Sequence, residues 1–247
     1  MEFIDLFSRV PLHIKKGVIG LGFSRLGGVS PKPFDTLNVG KATGDKPENV
    51  LANLKLIQEK TRVSSLVGVT QVHGTDFFHV ERGDLRNGQE VEADGIFSRF
   101  TGVGLLIKTA DCQPVSMFDP VKKVVANIHC GWRGSVGGIL KRAVEELKHQ
   151  YGSCPEDIWV GIGPSLGPCC GEFKGWKTLL PEWMWDFRLR PNHFDFWSIS
   201  ISQLVGAGVP LNQINCVRVC TMCNHNYFSY RREGITGRLA NVVALLP

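Results

Sequence analysis

The chain has 247 residues, of which 43% are hydrophobic and 21% are charged. This composition is that of a folded globular protein and excludes a largely disordered one. The net charge of +5 comes from scattered basic residues without dense interleaved aromatics, so nucleic acid is not an expected partner.

The N-terminal segment and the cysteines bear on the cellular compartment. Residues 1–10 carry Glu2, Asp5 and Arg9 among their apolar residues, unlike the apolar core of a signal peptide. No apolar run approaches the ~20 residues needed to cross a bilayer. We therefore expect a cytoplasmic protein without membrane partners. In that compartment most of the eight cysteines are expected to be reduced, and some of them to serve as metal ligands or nucleophiles.

The first half of the chain predicts several strands and one helix. Asp45 is the expected helix cap, with Pro47 in the first turn, and the apolar residues that follow recur at helical spacing: Val50, Leu51, Leu54 and Ile57. Valine-rich and other apolar runs predict strands at residues 17–23, 65–72, 102–109 and 114–118. His73 directly follows the strand predicted at residues 65–72. Cys112 lies between the strands predicted at residues 102–109 and 114–118.

The second half continues the same alternation. A strand at residues 124–128 runs into His129, and an amphipathic helix follows, marked by Val136, Ile139, Leu140, Ala143, Val144 and Leu147. Further strands are predicted at residues 158–162 and 216–220, the latter as the last long strand. Residues 176–197 concentrate tryptophans that we expect to cover a core. Without an internal repeat or a linker, residues 1–247 are predicted to form one α+β domain.

His73, Cys112 and His129 are the first candidates for chemistry. Two imidazoles and a thiolate suit a tetrahedral zinc site, and three protein ligands leave a fourth position open, as in catalytic zinc sites. The same residues also fit a metal-free pair in which Cys112 is a nucleophile and His129 its base. A third interpretation is a buried cysteine with two hydrogen-bonding histidines. Spacing does not decide among the three.

A second group of ligand types lies near the C-terminus, at Cys216, Cys220, Cys223 and His225. Cys220 and Cys223 have the spacing of half a zinc knuckle, but the chain has no second C-x-x-C pair. The adjacent residues Cys169 and Cys170 are expected to be poor partners for one metal. The sequence therefore does not favour a structural zinc at this second group.

Glycine-rich segments offer a weaker signal for phosphate binding. Neither a complete P-loop nor a dinucleotide-binding glycine motif is present. Residues 134–138 precede a helix, and a helix N-terminus beside Arg133 is a possible phosphate site.

Five sequence blocks together resemble the YfiH-like laccase-domain family, also labelled polyphenol oxidase or purine nucleoside phosphorylase. They are QVHG at residues 71–74, TADC at 109–112, HCGWRG at 129–134, GPSLGPCC at 163–170 and YFSYRR at 227–232. Their order and separation match the family from about Gly22 to Val243. The chain departs from the family pattern at Cys130, where alanine is usual, and near Arg25, where the segment is one residue shorter.

The resemblance implies a fold, a metal and an activity. The fold is α+β, with layered mixed β-sheets covered by helices, and the metal is zinc held at the positions of His73, Cys112 and His129, with copper a lesser alternative. The implied activity is phosphorolysis of adenosine, inosine, guanosine and methylthioadenosine, with adenosine deamination. The implied partners are a purine nucleoside and phosphate, in a monomer or homodimer.

Roles for individual residues follow from that chemistry. Arg25, Arg133 and Arg231 are candidates to hold phosphate or substrate, because guanidinium groups match phosphate oxygens. Cys112 and Asp111 are the catalytic candidates, although Asp111 is equally suited to orienting the metal loop.

Two other activities stay open from the family labels. One is a cysteine- or zinc-dependent amidase acting on cell-wall precursors. The other is a copper-dependent polyphenol oxidase, which we expect least, because a laccase couples several coppers and would need many more histidines than the seven present.

Overall fold

A computed structural model describes residues 1–81 and 91–247 of the chain. The strands are β1 Phe3–Asp5, β2 Val18–Phe23, β3 Ser65–Gly68, β4 Phe77–His79, β5 Gly95–Ser98, β6 Val103–Thr109, β7 Gln113–Asp119, β8 Val124–Cys130, β9 Trp159–Ile162, β10 Arg188–Arg190, β11 His193–Phe194, β12 Ile214–Cys216 and β13 Leu239–Leu245. The helices are α1 Pro47–Thr61, α2 Trp132–Val136, α3 Ile139–Tyr151, α4 Trp176–Leu179, α5 Phe196–Gly206 and α6 Tyr230–Glu233.

Two mixed sheets form the centre of the molecule. The first has the order β1-β2-β13-β6-β3, in which β3 is parallel to β6 and the other pairs are antiparallel. The second has the order β12-β9-β7-β8-β5-β4, with parallel pairs at both edges. The chain passes from the first sheet to the second between β3 and β4, and again between β6 and β7, at residues 110–112.

The two sheets pack face to face, and helices cover their outer faces. Alternate residues of each strand point to opposite faces. On β6, Leu105 and Ile107 enter the core between the sheets, whereas Leu106 faces Ile57 of α1. On β8, Val125 faces the other sheet, whereas Ile128 packs in the core beneath α3 and α5. The layers are therefore helix, sheet, sheet and helix.

A buried amide connects the two sheets. The Asn127 side chain on β8 donates to the carbonyl oxygens of Leu105 and Asn241, both at 2.8 Å, on strands of the other sheet. It also accepts from the Ser116 hydroxyl at 3.2 Å. Burial of an amide in an apolar core is tolerated because these groups satisfy it.

Most strands predicted from apolar runs are present, and the layered α+β prediction is confirmed. The tryptophan-rich segment does cover a core, in which Trp176, Met184 and Phe194 are buried. Within the described ranges, no helix is long and apolar enough to cross a membrane.

Three local predictions were wrong. Residues 217–220 leave the sheet after the short β12, and the last long strand is β13. The amphipathic helix is interrupted at Gly137 and Gly138, where Gly138 adopts a φ of 70°, so α2 and α3 are separate. Asp45 does not cap α1 in the expected way: its carboxylate accepts from the Lys46 backbone, Ser30, Asn38 and Asn49 instead.

Candidate metal centre and its cavity

The structure brings His73, Cys112 and His129 together. Their potential ligand atoms lie within 4.8 Å of one another, and the two imidazole rings meet edge to face with centroids 4.8 Å apart. His73 lies in the turn after β3, Cys112 in the connection between the sheets, and His129 within β8. His129 is buried, Cys112 is half-buried and His73 is exposed. The group is therefore open on the His73 side.

Asp94 organises this group, and sequence reasoning missed it. Its Oδ1 lies 2.7 Å from Nδ1 of His129, which leaves Nε2 of that ring for a metal. The same carboxylate accepts from the backbone N–H groups of His73 at 3.0 Å and Gly74 at 2.6 Å. His73 has a positive φ of 61°, a conformation that non-glycine residues seldom adopt. Asp94 thus fixes both histidines, as carboxylates commonly do around metal-bound imidazole.

Cys112 reaches the group through a sharp bend at Asp111, which has a φ of 93°. The Asp111 carboxylate accepts from the Thr221 hydroxyl and from the Arg231 backbone N–H, both at 2.7 Å. Both of its oxygens are therefore engaged in holding segments of the C-terminal region. This arrangement matches the positioning role considered from the sequence more closely than direct proton transfer.

Gly131 allows the ligands to approach each other. A Cβ atom at this position would lie 3.2 Å from Cys112 Sγ and 3.2 Å from His73 Cδ2. Cys130, the residue before Gly131, is buried on the face of β8 opposite to His129. Burial together with the Cys112 charge raises the pKa of the Cys130 thiol to about 12. Cys130 therefore stays protonated and belongs to the core rather than to the ligand group.

The charges within the group are coupled. Burial raises the pKa of Cys112, but the His129 charge and hydrogen bonds from both imidazoles outweigh it and lower the pKa to about 6. Burial lowers the pKa of His129, but Cys112 and Asp94 outweigh it and raise the pKa to about 9. Without a metal, the site at neutral pH holds a thiolate and an imidazolium side by side.

The donor set fits a borderline-soft divalent ion. Two imidazole nitrogens and a thiolate are ligands that zinc and copper accept, and three ligands with one open side leave a coordination position for a small molecule. The lowered pKa of Cys112 and the Asp94 contact to His129 prepare both groups for coordination. His73, Cys112 and His129 are therefore a group that could hold a metal ion.

A cavity of about 950 Å³ opens onto these three residues. Volumes near this size accommodate small-molecule ligands. One wall is aromatic, formed by Trp132, Phe173 and Phe196, with Trp132 and Phe173 edge to face at 5.1 Å. The lining also includes four basic residues: Lys41, Lys108, Arg231 and Arg238.

The three arginines named from the sequence have different positions. Arg231 lines the cavity, and its guanidinium donates to the carbonyl oxygens of Cys170 and Glu172. Arg25 is buried away from the described cavity lining, where it pairs with Asp35 and Glu233 and lies over the Phe228 ring. Arg133 is exposed on α2 and stacks on Trp132, also outside that lining. Neither Arg25 nor Arg133 is brought to the metal group.

Arg238 and Lys108 are cavity residues that sequence reasoning missed. Arg238 is half-buried, and its guanidinium donates to the carbonyls of Thr236 and Gly237. Burial lowers its pKa from the ordinary value. Lys108 lies near the end of β6. Its backbone N–H and carbonyl both form hydrogen bonds with the Gln71 side-chain amide. A basic residue at the end of a buried strand was the available sequence signal for Lys108.

Residues 21–246 match the family model described as multi-copper polyphenol oxidoreductase laccase. The chain belongs to this laccase-domain, YfiH-like family. A family relative, the purine nucleoside phosphorylase YlmD of Geobacillus stearothermophilus, is 34% identical over 232 residues, covering 86% of this chain and 85% of that protein. The purine nucleoside phosphorylase YfiH of Escherichia coli is 34% identical over 239 residues, covering 94% and 95%.

Solved structures of the YfiH-like family have the same fold. The crystal structure of YlmD from Geobacillus stearothermophilus superposes with a TM-score of 0.89 at 31% identity, covering 99% of this chain and 100% of that one. The Bacillus licheniformis protein YfiH gives 0.86 at 28% identity, covering 94% of each chain. The family resemblance inferred from the five sequence blocks is confirmed.

Proposed function

We propose that this chain is a metal-dependent purine nucleoside phosphorylase acting on adenosine, inosine, guanosine and methylthioadenosine. The observation that carries the proposal is one cavity that combines a candidate metal group, an aromatic wall and a basic lining. The reaction needs a site for each of its parts: a purine, a sugar and a phosphate. Relatives that cover most of this chain bear the name purine nucleoside phosphorylase.

The basic lining is suited to phosphate. Arg231 and Arg238 are oriented by backbone carbonyls, so their guanidinium groups lose little freedom when they bind an anion. Lys41 and Lys108 add positive charge to the same cavity. Held there, a phosphate oxygen attacks C1′ of the nucleoside, the bond from C1′ to the purine nitrogen breaks, and the bonding electrons leave with the base.

The aromatic wall is suited to the purine. Trp132, Phe173 and Phe196 present apolar ring surface to the cavity, and aromatic rings stack on bases with little dependence on base identity. This tolerance is consistent with an enzyme that accepts several purine nucleosides rather than one.

The metal group supplies Lewis-acid chemistry when an ion is bound, polarising an oxygen or nitrogen of the substrate. Asp94 holds His129 and the His73 turn in place, and Asp111 holds the Arg231 segment. Adenosine deamination would also require a carboxylate that exchanges protons with the substrate. Both oxygens of Asp111 accept hydrogen bonds from protein groups, so we assign deamination a secondary place in the proposal.

Incubation of zinc-loaded protein with adenosine, with and without phosphate, tests the proposal. Phosphorolysis gives adenine and ribose 1-phosphate only when phosphate is present. Deamination gives inosine without phosphate. Recovery of unchanged adenosine under both conditions contradicts both activities.

The thiolate–imidazolium pair of Cys112 and His129 favours one alternative, a cysteine-dependent amidase that needs no metal. Metal-stripped protein distinguishes the two. Retained turnover of an amide substrate, with loss on Cys112→Ala, supports the amidase. A multi-copper oxidase has less support, because it would need several copper sites with histidine ligands. Among the described residues, the histidine-containing group that could hold a metal is His73, Cys112 and His129.

A further inference from the structure

Four cysteines from two distant segments form a cluster outside the cavity. The sulfur atoms of Cys169, Cys170, Cys220 and Cys223 all lie within 4.8 Å of one another. Cys169 and Cys170 are in a turn after β9, and Cys220 and Cys223 are in a turn after β12. The chain has no second C-x-x-C pair to match Cys220 and Cys223, but the fold brings the adjacent Cys169 and Cys170 beside them.

We propose that Cys169, Cys170, Cys220 and Cys223 form a closed tetrathiolate zinc site, in addition to the site at His73, Cys112 and His129. Four protein ligands without an open position are typical of structural zinc. This inference does not depend on the phosphorylase proposal, because it uses none of the residues of that reaction's metal group.

The distances between the sulfur atoms suit a shared ion. Cys223 Sγ lies 3.5 Å from Cys169 Sγ and 3.4 Å from Cys170 Sγ. Zinc–sulfur bonds of ~2.3 Å in a tetrahedron place the sulfurs about 3.8 Å apart. A disulfide would require ~2.05 Å and would join only two of the four. A central ion therefore accounts for the proximity of all four sulfurs with only small adjustments.

Backbone groups position the two turns against each other. Ser165 and Cys220 form a parallel bridge, in which the Ser165 N–H donates to Val219 and the Thr221 N–H donates to Ser165. The Gly167 N–H donates to Cys220 Sγ at 3.3 Å, and the Cys223 N–H also bonds to that sulfur. Amide donors to a thiolate support it as a metal ligand.

Positive charge surrounds the cluster. Zinc with four thiolates carries a net charge of about −2, since each ligand is deprotonated. Arg190 donates to the Cys169 carbonyl at 2.7 Å, and Arg231 donates to the Cys170 carbonyl at 3.1 Å. Arg232 donates to the carbonyls of Thr221 at 2.6 Å and Met222 at 2.8 Å. Three guanidinium groups thus bind the two cysteine turns and offset the charge of the site.

The site would stabilise one wall of the cavity. The Cys169–Cys170 turn leads directly to Gly171, Glu172 and Phe173, which line the cavity, and Arg231 joins that turn from the other side. Cys169 and Cys223 are exposed while Cys220 is buried. An ion can therefore enter from solvent and hold both turns in the geometry that presents Arg231 and Phe173 to the ligand.

Zinc counting tests the inference on full-length protein purified under reducing conditions and supplied with zinc. We expect about two zinc ions per wild-type chain and about one in Cys112→Ala, which retains the four-cysteine site. Cys223→Ser should lose one ion, whereas Cys154→Ser, an exposed cysteine elsewhere, should keep both. The inference is contradicted if Cys112→Ala holds no zinc.

Cobalt substitution gives an independent readout. Co²⁺ bound in Cys112→Ala protein should show the thiolate charge-transfer absorption of four sulfur ligands, and Cys169→Ser in the same background should reduce it. The absence of that absorption, or alkylation assays that find the four cysteines in disulfides, would overturn the proposal. Circular dichroism on each variant separates ligand loss from unfolding.

Discussion

Asp94 is the residue on which the candidate metal group most depends. It is fully buried, and it holds His129 through the ring nitrogen while accepting backbone N–H groups from the His73 turn. Its pKa is raised by burial but lowered further by His129 and the backbone donors, so the carboxylate stays ionised. One side chain thus sets the orientation of two ligands.

Asp94→Asn tests this role. The amide can keep one acceptor but presents an N–H group where a carboxylate oxygen was, so His129 loses its preferred orientation. We expect a loss of metal affinity of about 10–100-fold, as for other outer carboxylates of metal sites, measured by competition with a chelator. Asp119→Asn is the matched control, because Asp119 is equally buried and binds turn N–H groups at the far end of β7. An unchanged affinity in Asp94→Asn would contradict the assignment.

The coupled pair Cys112 and His129 predicts a specific pH dependence of metal binding. The raised pKa of His129, about 9, means that its ring is protonated at neutral pH in metal-free protein, whereas the lowered pKa of Cys112, about 6, means that its thiol is ionised. Coordination must displace the His129 proton.

Affinity for zinc should therefore rise about tenfold per pH unit between roughly pH 6 and pH 9, and more steeply below pH 6, where Cys112 also binds a proton. Chelator competition across this range measures the slope. A flat profile between pH 7 and pH 9 would contradict the displacement of a proton from His129 by the metal.

At the scale of elements, α6 and the segment before it are joined to residues 25–37 through Arg25. The Nη1 atom of Arg25 lies 2.6 Å from Glu233 Oε1, and its Nε donates to the Asp35 carbonyl. The Arg25 guanidinium also lies 4.4 Å from the centre of the Phe228 ring. These contacts connect residues 25–37 to the segment that carries Arg231.

Arg25→Ala should destabilise the protein without changing its use of phosphate. Removing one partner of a buried ion pair typically costs about 3–5 kcal/mol, and Glu233 keeps Arg232 and Thr236 as partners, so we expect about 2–3 kcal/mol in urea unfolding. Arg133→Ala, at an exposed position, should cost less than about 1 kcal/mol.

Arg238→Ala provides the contrast in kinetics. Because Arg238 lines the cavity, its loss should raise the KM for phosphate about tenfold or more, as expected for a charge-assisted contact. An equal rise in that KM in folded Arg25→Ala protein would contradict the purely structural role assigned to Arg25.

The sequence predicted β6, β7 and β8 from runs that are mostly apolar. β13 was missed although Leu239–Leu245 is fully buried. Its polar residue Asn241 finds its partners Thr109 and Ile107 only in the fold. The break between α2 and α3 likewise depends on the positive φ of Gly138.

The candidate site was predictable to the extent that family motifs marked it. His73, Cys112 and His129 were proposed from their ligand types, were supported by the motifs, and meet in space. Asp94 precedes β5 and reaches the group only because β5 pairs with β8. The four cysteines are brought together by the bridge between Ser165 and Cys220. Such pairings between distant segments are not encoded in local periodicity.

At the scale of the whole molecule, the two sheets depend on Asn127 for a polar connection across an apolar core. Asn127→Ala would leave a cavity, and the Leu105 and Asn241 carbonyls would each lose a donor. We expect a loss of about 2–4 kcal/mol in the free energy of unfolding, measured in urea. Asn226→Ala, an exposed control, should change it by less than about 0.5 kcal/mol. A small effect at Asn127 would mean that side-chain packing alone sets the alignment of the sheets.

The placement of the three candidate metal ligands has a mechanical consequence. His73 and Cys112 lie in connections that lead from the first sheet to the second, whereas His129 belongs to the second sheet itself. Metal–ligand bonds of ~2.0–2.3 Å tolerate little change in length, so a bound ion would resist sliding of one sheet over the other at that end of the sandwich. Under an applied force, the metal-loaded molecule should be stiff along the strands near His129 and more compliant at the opposite end of β8.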